Sequence, residues 1–302
     1  MKTEKVLITG AGGFIGTHLE SFLKLKNLNT FTLGTKRLNN TNHFVLKNLE
    51  DLSSIKETLK IIKPDYFFHL AGSTDTSNPL EIFKINTLFC RNILDAIQEI
   101  DSENKIKVMI VGSSAEYGLI EENENPVHEN KVPKPSSLYG ISKLAQTHMA
   151  ESHFGKDKKI TIVRPFNILG VGMPKNFAVK NFLNQIKKLD NKETIKTGNL
   201  ETQRDFIDVR DAVILMWEII NNKKSYGKVI NLCSGRPIEI REILSFLLEE
   251  SKKDLNILSI KDSLRKDDSR LHYGDNSLLC EIVGEYDFIP WKESIRNILK
   301  NE

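Results

Sequence analysis

Cysteine is scarce in this 302-residue chain: Cys90, Cys233 and Cys280 are odd in number and far apart, which fits neither a disulfide framework nor a CxxC metal or redox site. Buried, reduced thiols are expected, and no metal. An excess of one charge is also missing. Forty-three Lys plus Arg stand against 40 Asp plus Glu, a net +3, too balanced for a general binder of nucleic acid or of membrane surfaces. An anionic partner must therefore be met by cations placed locally. Apolar runs such as Val108-Met109-Ile110-Val111 fall far short of the ~20 residues that span a bilayer. The first ten residues pass quickly from charge into a short β-type run, without the longer apolar stretch and small-residue cleavage site of a signal peptide. No internal repeat is evident. A cytoplasmic protein is expected. With 39% hydrophobic and 27% charged residues, usage is ordinary for a globular chain able to bury a sizeable core, in one or two domains.

What is present is alternation. Val6–Thr9, Thr30–Leu33, Tyr66–His69, Lys107–Val111 and Ile160–Val163 are short β-branched or apolar runs. Between them, Phe14–Leu25, Leu52–Ile62, Phe83–Ile100 and Leu138–Phe154 carry apolar residues at spacings of three and four. Strands alternating with amphipathic helices predict an α/β fold with a doubly wound parallel sheet. Beyond Pro165 the pattern loosens into a Gly- and Pro-containing loop at 170–174, a helix near Phe177–Leu189, short strands, and helices near 211–221, 240–250 and 291–300. Residues 1–166 are expected to form a dinucleotide-binding (Rossmann) domain. Residues 167–302 are expected to form mainly a smaller α/β substrate domain, with some segments returning to the first sheet. The polar stretch Glu121–Asn130, followed by Pro133 and Pro135, reads as a loop.

Gly10-Ala11-Gly12-Gly13-Phe14-Ile15-Gly16 follows the first strand and opens the first helix, the context a dinucleotide fingerprint requires. The spacing Gly10, Gly13, Gly16 permits a tight turn, close backbone approach to a pyrophosphate and close packing of helix on strand, and the helix N-terminus favours negative charge. After the second strand comes Gly34-Thr35-Lys36-Arg37, where an NAD enzyme commonly carries an Asp or Glu for the ribose hydroxyls. With no carboxylate there, Lys36 or Arg37 is placed to meet a 2′-phosphate. NADP(H) is favoured and NAD(H) is possible. Asp51-Leu52 and Leu70-Ala71-Gly72-Ser73 sit at further strand ends and are candidate cofactor walls.

Tyr139-Gly140-Ile141-Ser142-Lys143 starts a helix and puts Tyr139 and Lys143 four residues apart on one face. A nearby ammonium is expected to lower the Tyr pKa from about 10, so that the phenol exchanges a proton near neutral pH. Upstream, Val111-Gly112-Ser113-Ser114-Ala115-Glu116-Tyr117-Gly118 runs a strand into small hydroxyl residues. Ser113 is placed to hydrogen-bond the reacting oxygen.

Through TGAGGFIG at 9–16, GSSAEYG at 112–118, YGISK at 139–143 and RPFN at 164–167, the sequence resembles the extended short-chain dehydrogenase/reductase family of nucleotide-sugar enzymes. The resemblance implies a catalytic Ser113, Tyr139 and Lys143. In the family's 4,6-dehydratases the hydroxyl is usually Thr, followed by catalytic Asp and Glu positions, which Ser114 and Ala115 occupy here. Elimination of water across C5–C6 needs both a base and an acid, so the loss of both carboxylates argues against a dehydratase unless a register difference brings in Glu116. Reduction or epimerisation at C4 needs only hydride transfer and one proton.

Arg164-Pro165-Phe166-Asn167, the stretch Gly198–Asp211, Cys233-Ser234-Gly235-Arg236 and Gly274-Asp275-Asn276-Ser277 are similar to the family's reductases of GDP-4-keto-6-deoxy-D-mannose. That likeness implies a GDP-linked substrate with Ser113 and Ser114 at the sugar, Asn167 and Arg204 at the diphosphate, and Lys180, Asn181 and Arg265 near the nucleotide. It also implies a homodimer paired through Phe83–Ile100 and Leu138–Phe154. A guanidinium fork suits a diphosphate on its own chemistry; the competing assignment for Arg204 is an ion pair with Asp205 or Asp208. The loop Ile168–Met173 departs from the family's pattern, which leaves hexose against heptose open. A 4-epimerase and a non-catalytic dinucleotide-sensing module on the same fold are the alternatives.

Overall fold

The computed structural model describes residues 3–38, 42–103, 105–155, 158–260 and 269–302. In chain order, the strands and helices are β1 (Lys5–Thr9), α1 (Phe14–Leu25), β2 (Asn29–Gly34), β3 (His43–Val45), α2 (Leu52–Ile62), β4 (Tyr66–His69), α3 (Pro79–Phe83), α4 (Phe89–Ile100), β5 (Lys107–Val111) and α5 (Leu138–Glu151). They continue with β6 (Ile160–Pro165), β7 (Asn167–Leu169), α6 (Ala178–Lys188), β8 (Thr194–Thr197), β9 (Gln203–Asp208), α7 (Val209–Asn221) and β10 (Val229–Leu232). The last are β11 (Pro237–Glu239), α8 (Ile240–Ser251), β12 (Asn256–Ser259), β13 (Leu271–His272), α9 (Ser277–Val283) and α10 (Trp291–Asn301).

Seven strands form one parallel sheet in the order β10-β6-β5-β4-β1-β2-β3. This is the doubly wound arrangement, with the reversal of strand order between β1 and β4, where a ligand crosses the carboxyl ends of the strands. The sheet is buried on both faces, as parallel sheets are, and the side-chain alternation of one strand divides the core. Val6 and Ile8 join Leu19 and Leu23 of α1 and Val213 and Met216 of α7. Leu7, between them, joins Ile55 and Leu59 of α2 and Ile93 and Leu94 of α4 on the opposite face. A third core lies in the C-terminal lobe, where Phe182 and Ile186 of α6 meet Ile243 and Leu247 of α8 and Ile298 of α10. There β9 pairs with β7, β11 and β13, and β8 pairs with β12. Strand β10 leaves that lobe and pairs with β6, and α7 packs on the first sheet. Among the described residues no helix is long and apolar enough to cross a membrane.

One helix differs from its periodicity. The segment expected as Phe83–Ile100 begins at Pro79, after Asn78, whose side chain accepts from the Glu81 amide at 3.2 Å, an N-cap followed by proline at the first helical position. It then widens into a π-helical turn at Lys84–Leu88 before continuing as α4. The extra residue in that turn brings Asn86 and Thr87 inward, both buried, against α5. Apolar spacing reports the covered face of a helix and not a local change of winding, which often marks a functional site.

Candidate active site

The glycine turn stands at the reversal point. Gly10 has φ +72°, and a Cβ there would sit 2.6 Å from the Ala71 amide nitrogen; at Gly16 it would sit 2.2 Å from the Gly10 carbonyl oxygen. Only glycine allows this contact between the β1 and β4 turns and the seating of α1 on them. Gly13, which precedes α1, has no side chain to cap the helix, and the first turn carries no acidic residue. Its amides are therefore directed at whatever anion crosses the strand tips. Phe14 and Ile15 pack into the core beneath. Thr9 Oγ1 and His69 Nδ1 are joined at 2.9 Å and tie the ends of β1 and β4 together, while Leu70 and Ala71 pack on opposite sides of the sheet. Lys36 and Arg37 are exposed just past β2. Asp51 caps α2, accepting from the Ser54 amide at 3.1 Å and from the Ser53 and Ser54 hydroxyls at 2.7 and 2.6 Å, which hold its carboxyl down at about 2. Leu52 begins that helix and packs on the core.

Asn86 fastens the neighbouring turn. Its Oδ1 accepts from the Ser73 amide at 2.7 Å, and its Nδ2 donates to the Ser73 carbonyl at 2.9 Å and to Ser142 Oγ at 2.8 Å. The Leu70–Ser73 turn is thereby fixed to the helix that carries Tyr139 and Lys143.

Beyond β5, Ser113 caps a single 3₁₀ turn, Ser114–Glu116; its Oγ accepts from the Ala115 amide at 3.2 Å. The Ser113 hydroxyl is also hydrogen-bonded to Tyr139. Glu116 is fully buried: Oε1 accepts from the Ser113 amide at 2.8 Å, and Oε2 from Thr147 Oγ1 and Arg164 Nε, each at 2.8 Å. Arg164 stacks 4.7 Å from the Tyr117 ring centroid. Both oxygens of Glu116 are therefore engaged by neighbours within the protein.

Tyr139 is half-buried at the first turn of α5, whose N-cap Ser137 accepts from the Gly140 amide at 3.0 Å. Lys143 is buried one turn on; its Nζ donates to the Val111 carbonyl at 2.5 Å and to Gln146 Oε1. The amine lies near the cofactor wall, 4.0 Å from where a Gly72 Cβ would be. The expected lowering of the Tyr139 pKa is not found. Burial pushes the phenol up, against the Ser113 hydrogen bond, and burial brings the Lys143 ammonium down to about 8, against Glu116 and Cys90. The reason is geometric: the amine bonds to Val111 and Gln146, not to the phenol.

In the C-terminal lobe, Asn167 opens β7 and donates to the Asp205 carbonyl at 2.9 Å. Arg204, half-buried on β9, donates to the carbonyls of Gln203 at 2.7 Å and Arg270 at 3.4 Å. Both carboxylates considered as its partners are engaged elsewhere, Asp205 by Ser234 and Gly235 and Asp208 by Arg210. Lys180 on α6 is ion-paired with Glu302, whose Oε1 accepts from the Gly172 amide at 2.5 Å, so it braces the 170–174 loop. Asn181, exposed, accepts from Gln185 at 2.6 Å. The strand β9–β7 pair thus brings Asn167 and Arg204 into one sheet, with Lys180 and Asn181 on a separate helix. Arg265 lies outside the described residues. His18 on α1 bonds the Val171 carbonyl at 2.8 Å and links the glycine-turn helix to that same loop. Neither this link nor the roles of Asn86, Glu116, Gln146 and Arg164 was assigned from sequence. Glu116 and Arg164 stand inside the quoted motifs, but the signal for the others is no more than a polar residue on an apolar helix face.

A seven-stranded doubly wound sheet, a glycine turn at its reversal point, and Ser, Tyr and Lys at adjoining strand and helix ends define an enzyme of the extended short-chain dehydrogenase/reductase type. The chain belongs to the NAD dependent epimerase/dehydratase family, whose sequence profile matches residues 6–233. It is 31% identical to a GDP-6-deoxy-D-talose 4-dehydrogenase of Aggregatibacter actinomycetemcomitans, over 98% of this chain and 97% of that one. It is 26% identical to a GDP-6-deoxy-D-mannose reductase of Pseudomonas aeruginosa, over 99% and 97%. The solved structure of RMD from Pseudomonas aeruginosa complexed with NADPH superposes with a TM-score of 0.85 at 26% identity, covering 99% of this chain and 98% of that one.

Proposed function

We propose that this enzyme reduces the C4 keto group of a GDP-linked 4-keto-6-deoxy sugar at the expense of NADPH, converting GDP-4-keto-6-deoxy-D-mannose to GDP-D-rhamnose or its C4 epimer. The observation that carries the reading is the Ser113–Glu116 turn. Ser113 is hydrogen-bonded to Tyr139, Ser114 and Ala115 stand where a dehydratase has carboxylates, and the carboxylate that follows is closed by Arg164 and Thr147. The turn therefore supplies what C4 carbonyl chemistry needs and lacks the acid–base pair for elimination. The relatives named above, which act on GDP-6-deoxyhexoses, support the same class of substrate.

The residues fit a dinucleotide: Gly10 and Gly16 let the glycine turn pack tightly between β1, β4 and α1, and α1 starts with no side-chain cap and no acidic residue in its first turn. Gly10, Gly13, Phe14, Ile15 and Gly16 would hold the pyrophosphate, Leu70–Gly72 and Asp51-Leu52 the walls, and Lys36 and Arg37 a 2′-phosphate, so NADP(H) is favoured and NAD(H) possible. When bound, this cofactor supplies the hydride. Ser113 Oγ donates to the C4 oxygen and orients the carbonyl. Tyr139 gives that oxygen its proton, and Lys143 offsets the phenolate charge left behind. Residues 167–302, in the main, form the substrate side, with Asn167 and Arg204 at the diphosphate.

Exposed Leu80, Leu88 and Ile141 (85%, 45% and 42%) lie on α3, the π turn and α5, which pack together. They support a homodimer through this face. Free cysteines and an NADPH-dependent reaction suit the cytoplasm.

The test mixes purified enzyme with NADPH and enzymatically prepared GDP-4-keto-6-deoxy-D-mannose, following absorbance and identifying the product by NMR. One NADPH consumed per GDP-6-deoxyhexose formed is expected, and the product fixes the C4 stereochemistry. Turnover of a nucleotide sugar without net cofactor loss would replace the reductase with a 4-epimerase.

A further inference from the structure

The catalytic amine is held by a group to which neither the motifs nor the mechanism assigns a role. Lys143 Nζ is buried and has two acceptors, the Val111 carbonyl and the Gln146 side-chain oxygen. Gln146 is itself fully buried, and among the described residues the only neighbour of its Nε2 with acceptor character is the weakly accepting Cys90 sulfur. Turning the amide over would aim that nitrogen at the ammonium and put two donors face to face. The arrangement in place keeps the oxygen on Lys143 and leaves the nitrogen to the weak Cys90 sulfur.

The surroundings explain why an oxygen is needed. His69, at the end of β4, is held down at about 3 by burial and Lys143, so it is neutral at working pH. Cys90, on α4, is pushed up to about 12 by burial and stays a thiol. Glu116, on the turn after β5, acts on Lys143 through space but bonds Arg164 of β6 and Thr147 of α5. Tyr139 is protonated at rest. With no carboxylate in contact, the buried ammonium is supported by the Glu116 charge through space and by the neutral dipoles it touches.

We propose that Gln146 is a positioning residue for Lys143: its side-chain oxygen, with the Val111 carbonyl, forms a cradle that fixes the amine beneath the Gly72 turn and keeps it protonated during turnover. The inference rests on the reading of Lys143 as the charge partner of Tyr139 in carbonyl reduction.

The experiment follows the Lys143 Nζ signal by ¹⁵N NMR of lysine-labelled protein across pH 6–11, assigned by its absence in Lys143→Met. Parent, Gln146→Met and Gln146→Glu are compared, and the alkaline limb of kcat is recorded for each. Methionine keeps the volume and removes the acceptor, so the midpoint should fall by about one pH unit, the worth of one hydrogen bond to a charged group. Glutamate should raise it above the parent, and the kcat limb should move the same way in each. Equal midpoints in all three proteins overturn the proposal, as does a limb that stays put while the NMR midpoint moves. If Gln146→Met does not fold, Gln146→Glu decides alone: an unmoved midpoint sinks the cradle. The titration needs no sugar nucleotide, so shifted midpoints in an enzyme that reduces no keto sugar support the cradle and reject only the reaction.

Discussion

The two ends of the candidate site are built by opposite means. At the catalytic end, Glu116, Arg164 and Lys143 are all at most 4% exposed, and each charge is fixed by bonds to its neighbours. At the end expected to meet phosphate, Lys36 and Arg37 are exposed on a loop, and Arg204 is half-buried on β9, between β11 and β13. Chemistry at C4 depends on placing a proton to within a fraction of an ångström, which requires packed supports. Recognition of phosphate charge tolerates movement and is screened by salt. The difference predicts that substitutions at the first end remove turnover or stability outright, whereas those at the second shift preference.

The largest expected effect is at Tyr139. Tyr139→Phe removes the only proton that the proposed mechanism gives to the C4 oxygen, and kcat should fall about 10²- to 10⁴-fold. NADPH binding, followed by fluorescence titration, should be retained. Near-parent turnover in this variant would remove Tyr139 from the chemistry and the comparison with it.

The Glu116–Arg164 pair comes next. Arg164→Met leaves a fully buried carboxylate without its partner, and urea unfolding should show a loss of about 3–5 kcal/mol. The double variant Glu116→Gln/Arg164→Met strands no charge and should lose less than the two single losses added together. Additive losses would mean that the pair is not coupled, despite the 2.8 Å contact.

How much of this was legible in advance follows the same division. The parallel sheet could be read because Val6, Leu7 and Ile8 are buried on both faces, and such strands are written as continuous apolar runs. The glycine turn could be read because backbone geometry restricts it to glycine. The short β3 could not be delimited: its three residues are anchored by a side-chain bond from Thr32 to His43 at 2.8 Å, a tertiary contact with no period. The direction of the Tyr139 shift was misread for a related reason. Spacing of four residues places two side chains on one face, but which acceptor an amine selects depends on Val111 and Gln146, brought in by the fold. The substrate lobe was least legible, since Lys180 meets Glu302 only through packing of the chain's last helix.

Lys143 sharpens the comparison through pH. The unfolded chain holds this proton to its ordinary value of 10.5, while burial brings the folded value to about 8. Between these values the unfolded state binds more protons, so the group's contribution makes folding stability rise with pH. The cost of the buried charge is fully present below pH 8 and is relieved as pH rises toward 10.5. Relative to Lys143→Met, in which all other titrations are shared, the parent should gain about 2 kcal/mol between pH 7.5 and pH 10. A flat difference in urea unfolding across that range would mean that the amine already reaches solvent, and would move Lys143 from the first class of site to the second.

The smallest effect belongs to the exposed cations. Replacing Lys36 and Arg37 with serine removes two exposed charges that, among the described residues, hold no buried partner in place, so neither folding nor kcat should change. If they meet a 2′-phosphate, the KM for NADPH should rise about tenfold, equivalent to about 1.4 kcal/mol, and that for NADH should stay where it is. Ionic strength provides the control. In the parent, raising salt from about 0.01 M to 0.15 M shortens the Debye length from about 30 Å to 8 Å, and should erode the NADPH preference without moving the Tyr139-dependent rate at saturating substrate. An unchanged preference in the double variant would take Lys36 and Arg37 out of the cofactor site. Loss of kcat along with the preference would show instead that the loop after β2 supports the catalytic end, and the division between a packed end and a solvated one would have to be drawn elsewhere.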